Sequence, residues 1–355
     1  MARAHIHEQL RPVPPVWAPF AADWRQVVLA SRVRLARNLS GRPFVLNLSV
    51  SDRKQLAAQL GERLSACAAL RGGPRGTVGG LRQDERRLLV ERRLLSPDFS
   101  ACGLGRAFAI AAGHHLVGTA NDQDHLRVQA ILPGLALERA WTLARAALAQ
   151  LGEDDEFAFS PRWGYLTLSP RNLGTGLRAA VVVHLPGLAW LDRIAPVRRG
   201  LAALGAGLVA MARDLDGAGD LFAITHDASL GLSEEAILSG LEDLVQVVVR
   251  QEQQARLTLA RRERLRLYDH IGRSYGIVRF SRQLTLAEAL DGLSALVVGA
   301  RLGILPTPGL DDLSRMVLEV QPAHLLLGVA GDGPRAQENT LRADRLRELL
   351  RGSPG

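Results

Sequence analysis

The chain has 355 residues, of which 47% are hydrophobic and 23% charged, enough for one large and one smaller domain, each with its own core. Its formal charge of +8 comes almost entirely from arginine, and without an aromatic-rich basic repeat we do not take that charge as evidence for nucleic acid. No segment reaches the roughly 18 apolar residues of a membrane span, and the 2 cysteines give neither a disulfide framework nor a metal-ligand spacing, so a cytoplasmic protein with no nucleic-acid or membrane partner is expected.

A single lysine limits the ways in which this chain could bind a nucleotide. A Walker A loop needs Gly-Lys-Ser/Thr, and a eukaryotic-type kinase needs a strand lysine on the phosphates. Lys54 instead begins an amphipathic helix without a glycine loop, so both classes are excluded. If the chain binds a nucleotide, arginines must hold its phosphates.

The first half of the chain is rich in short strands. Strands are predicted in WRQVVLASRVRLAR, FAIAAG, HLVGTA and HLRVQAIL, and helices over 52–70 and 137–151. Because strands follow one another without a helix in each gap, we expect a largely antiparallel sheet flanked by helices rather than a doubly wound parallel sheet.

The second half changes from strands to helices. GYLTL and LRAAVVVHLP are predicted strands, followed by a helix near 188–204 and the strands GLVAMARD and LFAITH. Ser233 is predicted to cap a long helix, and nearly everything beyond residue 257 has a helical period. The sequence therefore predicts an α+β fold with three parts: a lead over 1–23, a mixed domain over 24–256 and an all-helical C-terminal domain over 257–355.

One glycine motif is misleading. The segment NLGTGLRAAVVV has the G-x-G-x-x-A spacing of a dinucleotide-binding fingerprint. That fingerprint must open a helix, whereas AAVVVHL is β-branched and predicts a strand. We interpret the glycines as a tight turn that orients Arg178.

Arginines beside several predicted strands form the main candidate site. If LASRVRLARN is a strand, Arg32 and Arg34 lie on one face and Val33 and Leu35 on the other. Arg127 and Arg178 each lie close to a polar or glycine turn. Taken singly, each is more often an ordinary surface residue. Together, they supply the permanently charged, bidentate donors that a triphosphate needs.

The order and spacing of several segments resemble those of the ATP:guanidino phosphotransferases, and among these the bacterial protein-arginine kinases. The resemblance extends over about residues 24 to 350 and rests on LASRVRLARN, NDQDHLRVQ, GYLTLSPRNLGTGLRAAVVVHLPGL, LFAITHDASLGLSEEAI and RSYGIVR. It implies a guanidino kinase catalytic domain followed by a helical domain. It also implies transfer of the γ-phosphoryl group of ATP, with Mg²⁺, to a guanidinium nitrogen of protein arginine.

The same resemblance implies roles for individual residues. Arg32, Arg34, Arg127 and Arg178 form an arginine clamp on ATP. The nucleotide-binding residues further include Ser31, Arg93, Ala179 and Arg213. By resemblance alone, the partners are protein substrates carrying arginine, a zinc-binding activator protein, a Clp-type chaperone-protease and a second copy in a homodimer.

The sequence departs from the family at positions that align the substrate. Gln123 stands where the family has an acid, and Ser169 where it has a cysteine. A shortened loop offers Asp214 or Asp216 as a second acid, and Asp122 and Asp124 are further candidates to align the guanidinium.

Two functional interpretations follow. The chain is either a working protein-arginine kinase or a catalytically weakened, nucleotide-binding regulator of the same fold. In the C-terminal domain, Glu338, Asn339 and Arg342 stand where the family recognises phosphoarginine with R-D-x-x-R. Whether that recognition is retained stays open.

Overall fold

The structure, a computed structural model, describes residues 6–10, 26–101, 103–152, 156–211, 217–227, 229–305, 310–326 and 335–351. The strands are β1 Val28–Arg37, β2 Gly72–Thr77, β3 Ala107–Ala111, β4 Leu116–Ala120, β5 Leu126–Pro133, β6 Phe159–Ser160, β7 Gly164–Tyr165, β8 Leu177–His184, β9 Ala206–Ala210 and β10 Leu221–His226. The helices are α1 Ile6–Leu10, α2 Val50–Ala66, α3 Gln83–Glu91, α4 Pro97–Ala101, α5 Leu137–Ala149, α6 Pro186–Trp190, α7 Ile194–Ala203, α8 Glu234–Arg261, α9 Arg264–Phe280, α10 Leu286–Leu302, α11 Leu310–Glu319, α12 Pro322–Leu325 and α13 Arg335–Arg351.

Eight strands form one sheet in the order β2-β3-β4-β5-β1-β8-β10-β9, and β6 and β7 form a separate two-stranded ribbon. The neighbours from β2 through β5 to β1 pair antiparallel. By its contacts the chain divides into two compact units. Unit 1 comprises residues 1–16, 30–180 and 225–242, and unit 2 comprises 17–29, 181–224 and 243–355.

In unit 1, α2 packs on β3 and β4 and α5 packs on β5. Leu56, Leu60 and Leu64 recur every fourth residue of α2, which puts them on one face, and all are buried. The approach of α2 to the sheet is close at β4. A Cβ added to Gly118 would lie 2.4 Å from Leu64 Cδ2, so a side chain at this strand position would displace Leu64.

In unit 2, α10 packs against α9, α11, α13 and the 3-10 turn Ala218–Asp220. Thr285 begins α10 with a capping box, in which its hydroxyl accepts from Glu288 N and the glutamate accepts from Thr285 N at 2.8 Å. The approach to α9 is similarly close, because a Cβ at Gly292 would lie 2.3 Å from Val278 Cγ2 and would displace that side chain. The helical C-terminal part thus has its own buried core.

The predicted antiparallel sheet and helical C-terminal region are confirmed. The helix predicted near 188–204 is instead two helices, because Asp192 adopts a φ of +58° after the first. The strand predicted in GYLTL is only two residues long. Leu168 donates its backbone N–H to Asp124 Oδ1 at 2.8 Å, so this part of the segment is fixed by a side chain. The boundary predicted after residue 256 falls inside α8 and stays a prediction.

Candidate functional site

The candidate site lies in unit 1, on the face of β1 that carries Arg32 and Arg34. Val33 and Leu35, which alternate with these arginines, are 0% and 1% exposed, whereas the arginines are half-buried. In the antiparallel register, Arg34 lies opposite Gln129 and Ala36 opposite Arg127. Directly opposed residues share a face of the sheet, so Arg127 joins the two arginines of β1.

Arg178 lies close enough to Arg34 for their charges to interact, so it belongs with these three arginines. Burial lowers the pKa of the Arg34 guanidinium well below its usual value, and the positive charges of Arg32, Arg127 and Arg178 lower it further. Among the described residues, Asp122 alone raises the Arg34 pKa. Cations from β1, β5 and β8 therefore converge on one partly buried region. Such a region is unfavourable when empty and favourable for an anion that carries several charges.

Within the part of the chain that the structure describes, Asp122 is the one carboxylate that contributes to this cluster at Arg34. It accepts a hydrogen bond from Arg127 NH1, and both side chains are largely buried, 6% and 12% exposed respectively. This ion pair orients the Arg127 guanidinium. It also engages Asp122, which the sequence suggested for aligning the substrate.

Arg178 lies beside a segment that sequence reasoning did not select. Its NH1 donates to the backbone oxygen of Asp227 at 3.2 Å. Burial lowers the Arg178 pKa, the charge of Asp227 raises it and that of Arg171 lowers it. The pKa of His226 is lowered by burial and then by Arg178. The sequence signal that could have identified His226 and Asp227 is their place in LFAITHDASLGLSEEAI, one of the segments that resemble the family.

The loop between β4 and β5 presents Gln123 to solvent by fixing its neighbours. Asp124 is fully buried, and its Oδ1 accepts from Asn38 Nδ2 at 2.7 Å and from Leu168 N at 2.8 Å. His125 Nδ1 accepts from Leu39 N at 3.0 Å. Gln123, which immediately precedes Asp124, is exposed. Asp124 thus ties the loop to two neighbouring segments, and Gln123 is the loop residue with a free approach from outside.

The turn before β8 carries Ser169 and is held by two glycines in the left-handed region. Gly174, at φ +106°, accepts from Tyr165 N at 2.7 Å. At Gly176, with φ +67°, a Cβ would lie 2.5 Å from the backbone oxygen of Ala36. The G-x-G spacing therefore builds a tight turn against β1, and Arg178 follows it on a strand. The dinucleotide fingerprint is absent, as the sequence analysis predicted.

Several predicted residues do not join the arginines. Ser31 lies on the opposite face of β1 and is fully buried. Its hydroxyl is already engaged, because it donates to Gly134 O at 2.8 Å and accepts from Ala136 N at 2.9 Å. Ala179 follows Arg178 on β8 and so has its side chain on the other face. Three further candidates lie outside the described residues, namely Arg213, Asp214 and Asp216.

Arg93 lies near the arginine face through its backbone. Its carbonyl accepts from Gln129 Nε2 at 3.0 Å, and its φ is +60°. Because Gln129 lies opposite Arg34, this bond joins the end of α3 to the arginine face.

The C-terminal candidates lie in unit 2, where Arg342 is 1% exposed. Its Nε donates to Val320 O at 2.9 Å, and its NH1 donates at 2.8 Å to both Leu284 O and Asn339 Oδ1. Arg342 therefore joins the start of α10 to the end of α11. Glu338 is half-buried.

No described helix is long and apolar enough to cross a membrane. Within the same residues, no group of three or more His, Cys, Asp or Glu side chains could hold a metal ion. A divalent cation at the arginine face would take most of its ligands from a bound anion and water, as Mg²⁺ commonly does with phosphates.

Known proteins resemble this chain along almost its whole length. Residues 71–255 match the family described as ATP:guanido phosphotransferase, C-terminal catalytic domain, and residues 264–354 match the Protein-arginine kinase McsB C-terminal domain. The protein-arginine kinase of Moorella thermoacetica is 34% identical over 342 residues, which are 95% of this chain and 97% of that protein. That of Bacillus cereus is 33% identical over 333 residues, 92% of each chain.

Solved structures share the fold at lower identity. Lombricine kinase has a TM-score of 0.54 at 20% identity, covering 70% of this chain and 75% of that one. The duplicated taurocyamine kinase from Schistosoma mansoni has a TM-score of 0.56 at 22% identity, covering 70% and 38%.

Proposed function

The chain belongs to the bacterial protein-arginine kinase family, and we propose that it transfers the γ-phosphoryl group of ATP to arginine side chains of proteins. The observation that carries this proposal is the convergence of Arg32, Arg127 and Arg178 on Arg34. Phosphoryl transfer needs little covalent chemistry from the protein. It needs the triphosphate fixed in place and its charge neutralised, and arginines do both.

The arginines act as a preformed clamp. Burial and then the repulsion from the other three arginines lower the Arg34 pKa in the ligand-free protein, and bound phosphates relieve that repulsion. Each guanidinium can donate two parallel hydrogen bonds to a phosphoryl group, which fixes orientation as well as position. Arg127, held by Asp122, is oriented before the nucleotide arrives.

Mg²⁺ supplies additional neutralisation of the β- and γ-phosphates when bound. The described residues offer no protein cage for it, which fits an ion carried mainly by the phosphates and water. Asp122 is the carboxylate that interacts with Arg34 and is the described residue best placed to contribute to such a site.

The substrate guanidinium needs acceptors that orient it and take its proton. Gln123 is exposed at the loop where the family has an acid, and its amide oxygen can orient a guanidinium but cannot take the proton effectively. On the family resemblance alone, we propose Asp214 or Asp216 as the base and Ser169 as a further residue of the substrate site. Asp124 is the weaker candidate, because one of its oxygens is already bonded to Asn38 and Leu168.

The nucleotide-binding regulator remains the second interpretation, but nothing in the described residues favours it over the kinase. Substrates are proteins that present arginine. The zinc-binding activator, the Clp-type chaperone-protease and a homodimer rest on the family resemblance alone, as does the cytoplasmic location.

The clamp is tested by titration calorimetry with Mg·ATP. Single alanine variants of Arg32, Arg34, Arg127 and Arg178 should each lose roughly 1.5 to 3 kcal/mol of binding free energy, the scale of a charge-assisted hydrogen bond. Arg139→Ala on the exposed side of α5 is the control for net charge and should change affinity little. Unchanged affinity in two of the four clamp variants would refute the arrangement.

A further inference from the structure

A buried acid, hydroxyl and imidazole form a continuous hydrogen-bonded chain within unit 2. Asp220 Oδ2 accepts from Ser294 Oγ at 2.6 Å and from Trp190 Nε1 at 3.1 Å. Ser294 Oγ in turn lies 2.9 Å from His184 Nε2. Asp220, Ser294 and His184 are 8%, 3% and 0% exposed, so the chain lies inside the protein. The proposed phosphoryl transfer makes no use of these three residues.

This hydrogen-bonded chain connects four elements of the same unit. Asp220 ends the 3-10 turn that leads into β10 and has a φ of +54°. Ser294 lies on α10, His184 ends β8 and Trp190 ends α6. The same turn has a second attachment to α10, because Gly219 N donates to Asp291 Oδ1 at 2.7 Å. The start of β10 is therefore held on α10 by two carboxylates.

The charged groups around Asp220 disfavour its ionised form. The pKa of Asp220 is raised to about 7, first by burial and then by the charges of Asp291 on α10 and Glu252 on α8, against the hydrogen bonds from Ser294 and Trp190. Glu252 is itself paired with Arg256.

His184 is held neutral in the same surroundings. Burial lowers its pKa well below the usual value, and Arg256 and Arg301 lower it further. An Asp220 that titrates near neutral pH therefore sits beside an imidazole that does not become charged.

The hydrogen bonds of this chain can run in two directions. When Asp220 is ionised, Ser294 must donate to it, and His184 must then donate to the serine from Nε2. When Asp220 is protonated, it can donate to Ser294, which then donates to Nε2, and His184 carries its proton on Nδ1. The change adds one proton in total. A proton binds Nδ1, the Nε2 proton passes to Ser294 Oγ, and the serine proton passes to Asp220 Oδ2.

We propose that Asp220, Ser294 and His184 form a proton switch, in which uptake of one proton reverses both hydrogen bonds and converts His184 from its Nε2–H to its Nδ1–H tautomer. Both states keep the two bonds, so the fold is retained. Only the ionised state places a negative charge beside Asp291 and Glu252. The folded arrangement of the turn Ala218–Asp220 on α10 is therefore favoured when Asp220 is protonated.

Because its pKa is raised in the folded protein, Asp220 stabilises the fold more at low pH than at high pH. A carboxyl whose folded pKa is raised stabilises the fold fully below its unfolded pKa, and this contribution is lost as pH rises through the folded value. Between pH 5 and about 7, the unfolding equilibrium constant of the wild type should rise by up to tenfold per pH unit relative to Asp220→Asn, and then level off.

The direct test is nitrogen NMR of the full chain with ¹⁵N-labelled histidine, which reports the tautomer without requiring activity. The wild type should show His184 as Nε2–H at pH 8.5 and as Nδ1–H at pH 5.5, with a midpoint near 7. Asp220→Asn should keep one tautomer throughout, and Ser294→Ala should uncouple His184 from the carboxyl.

An unchanging tautomer in the wild type across this range would overturn the switch, and so would identical pH dependence of unfolding in wild type and Asp220→Asn. If Asp220→Asn does not fold, the wild-type titration and Ser294→Ala still decide the question. Neither measurement depends on phosphoryl transfer, so failure of the switch and failure of the proposed function are distinguishable.

Discussion

The guanidinium of Arg127 donates a hydrogen bond to the carboxylate of Asp122, five residues earlier, at the edge of the arginine face. This pair is the internal counter-charge of the cluster when no nucleotide is bound. Asp122→Asn should therefore lower the free energy of unfolding by about 1 to 3 kcal/mol, the cost of leaving a buried charged group without its partner. Saturating Mg·ATP should recover most of this loss, because phosphate oxygens take over the neutralisation.

Chemical denaturation with and without Mg·ATP measures both effects. Asp98→Asn, on an exposed part of α4, is the control and should change stability by less than about 0.5 kcal/mol. A loss for Asp122→Asn that ATP does not reduce would contradict a shared anion site.

The low pKa of Arg34 predicts a pH-dependent lysine variant. A guanidinium stays charged even where its pKa is depressed, whereas a lysine in the same surroundings loses its proton more readily. In Arg34→Lys, ATP affinity should fall several-fold as pH rises from about 7 to 9, while wild-type affinity stays nearly constant. Calorimetry at both values checks this. A lysine variant that binds equally well at both pH values would argue against a repulsive, partly buried cluster.

Arg342 is expected to act on stability. Its guanidinium satisfies two backbone carbonyls and the Asn339 amide inside unit 2. Arg342→Ala should lower the free energy of unfolding by about 3 kcal/mol, because buried acceptors lose charged donors. Arg351→Ala, at the exposed end of α13, should change it by less than about 0.5 kcal/mol. Equal small effects in the two variants, measured by denaturant titration, would refute this role.

Gln123→Glu tests whether an acid at position 123 increases the rate of phosphoryl transfer. A carboxylate at this exposed loop position orients a guanidinium bidentately and can take its proton, while the nucleotide is held elsewhere by the arginines. Turnover should rise at least about tenfold, equivalent to roughly 1.4 kcal/mol of transition-state stabilisation, with ATP affinity unchanged. Steady-state phosphoarginine formation measures the gain. Equal activity in both forms would move the alignment role to Asp122, Asp214 or Asp216.

The sequence predicted the arginine face because strand alternation is a local property. The alternation of side chains along a strand is enough to place Arg32 and Arg34 on one face and Val33 and Leu35 on the other. The antiparallel register with β5 then adds Arg127 to the arginine face. The G-x-G turn before Arg178 could likewise be assigned, since a β-branched run cannot open a Rossmann helix.

What the sequence could not give were long-range hydrogen bonds. Nothing local indicates that the hydroxyl of Ser31 is used by the backbone of residues 134 and 136, or that Asp124 bonds to Asn38 and Leu168. The pairing of Arg127 with Asp122 is close in sequence, but its effect on Arg34 depends on the folded sheet. Family resemblance identified positions, and only the fold shows which side chains are already engaged.

Phosphorylation of protein arginine from ATP is the activity that we propose for this chain. The most direct measurement is mass spectrometry of an arginine-rich protein after incubation with the wild-type chain and Mg·ATP, under conditions that spare the acid-labile P–N bond. Phosphoarginine is expected with the wild type and with Arg139→Ala, and a large loss of it is expected with Arg34→Ala. Absence of phosphoarginine from a wild-type chain that binds Mg·ATP would contradict this proposal and favour a nucleotide-binding regulator.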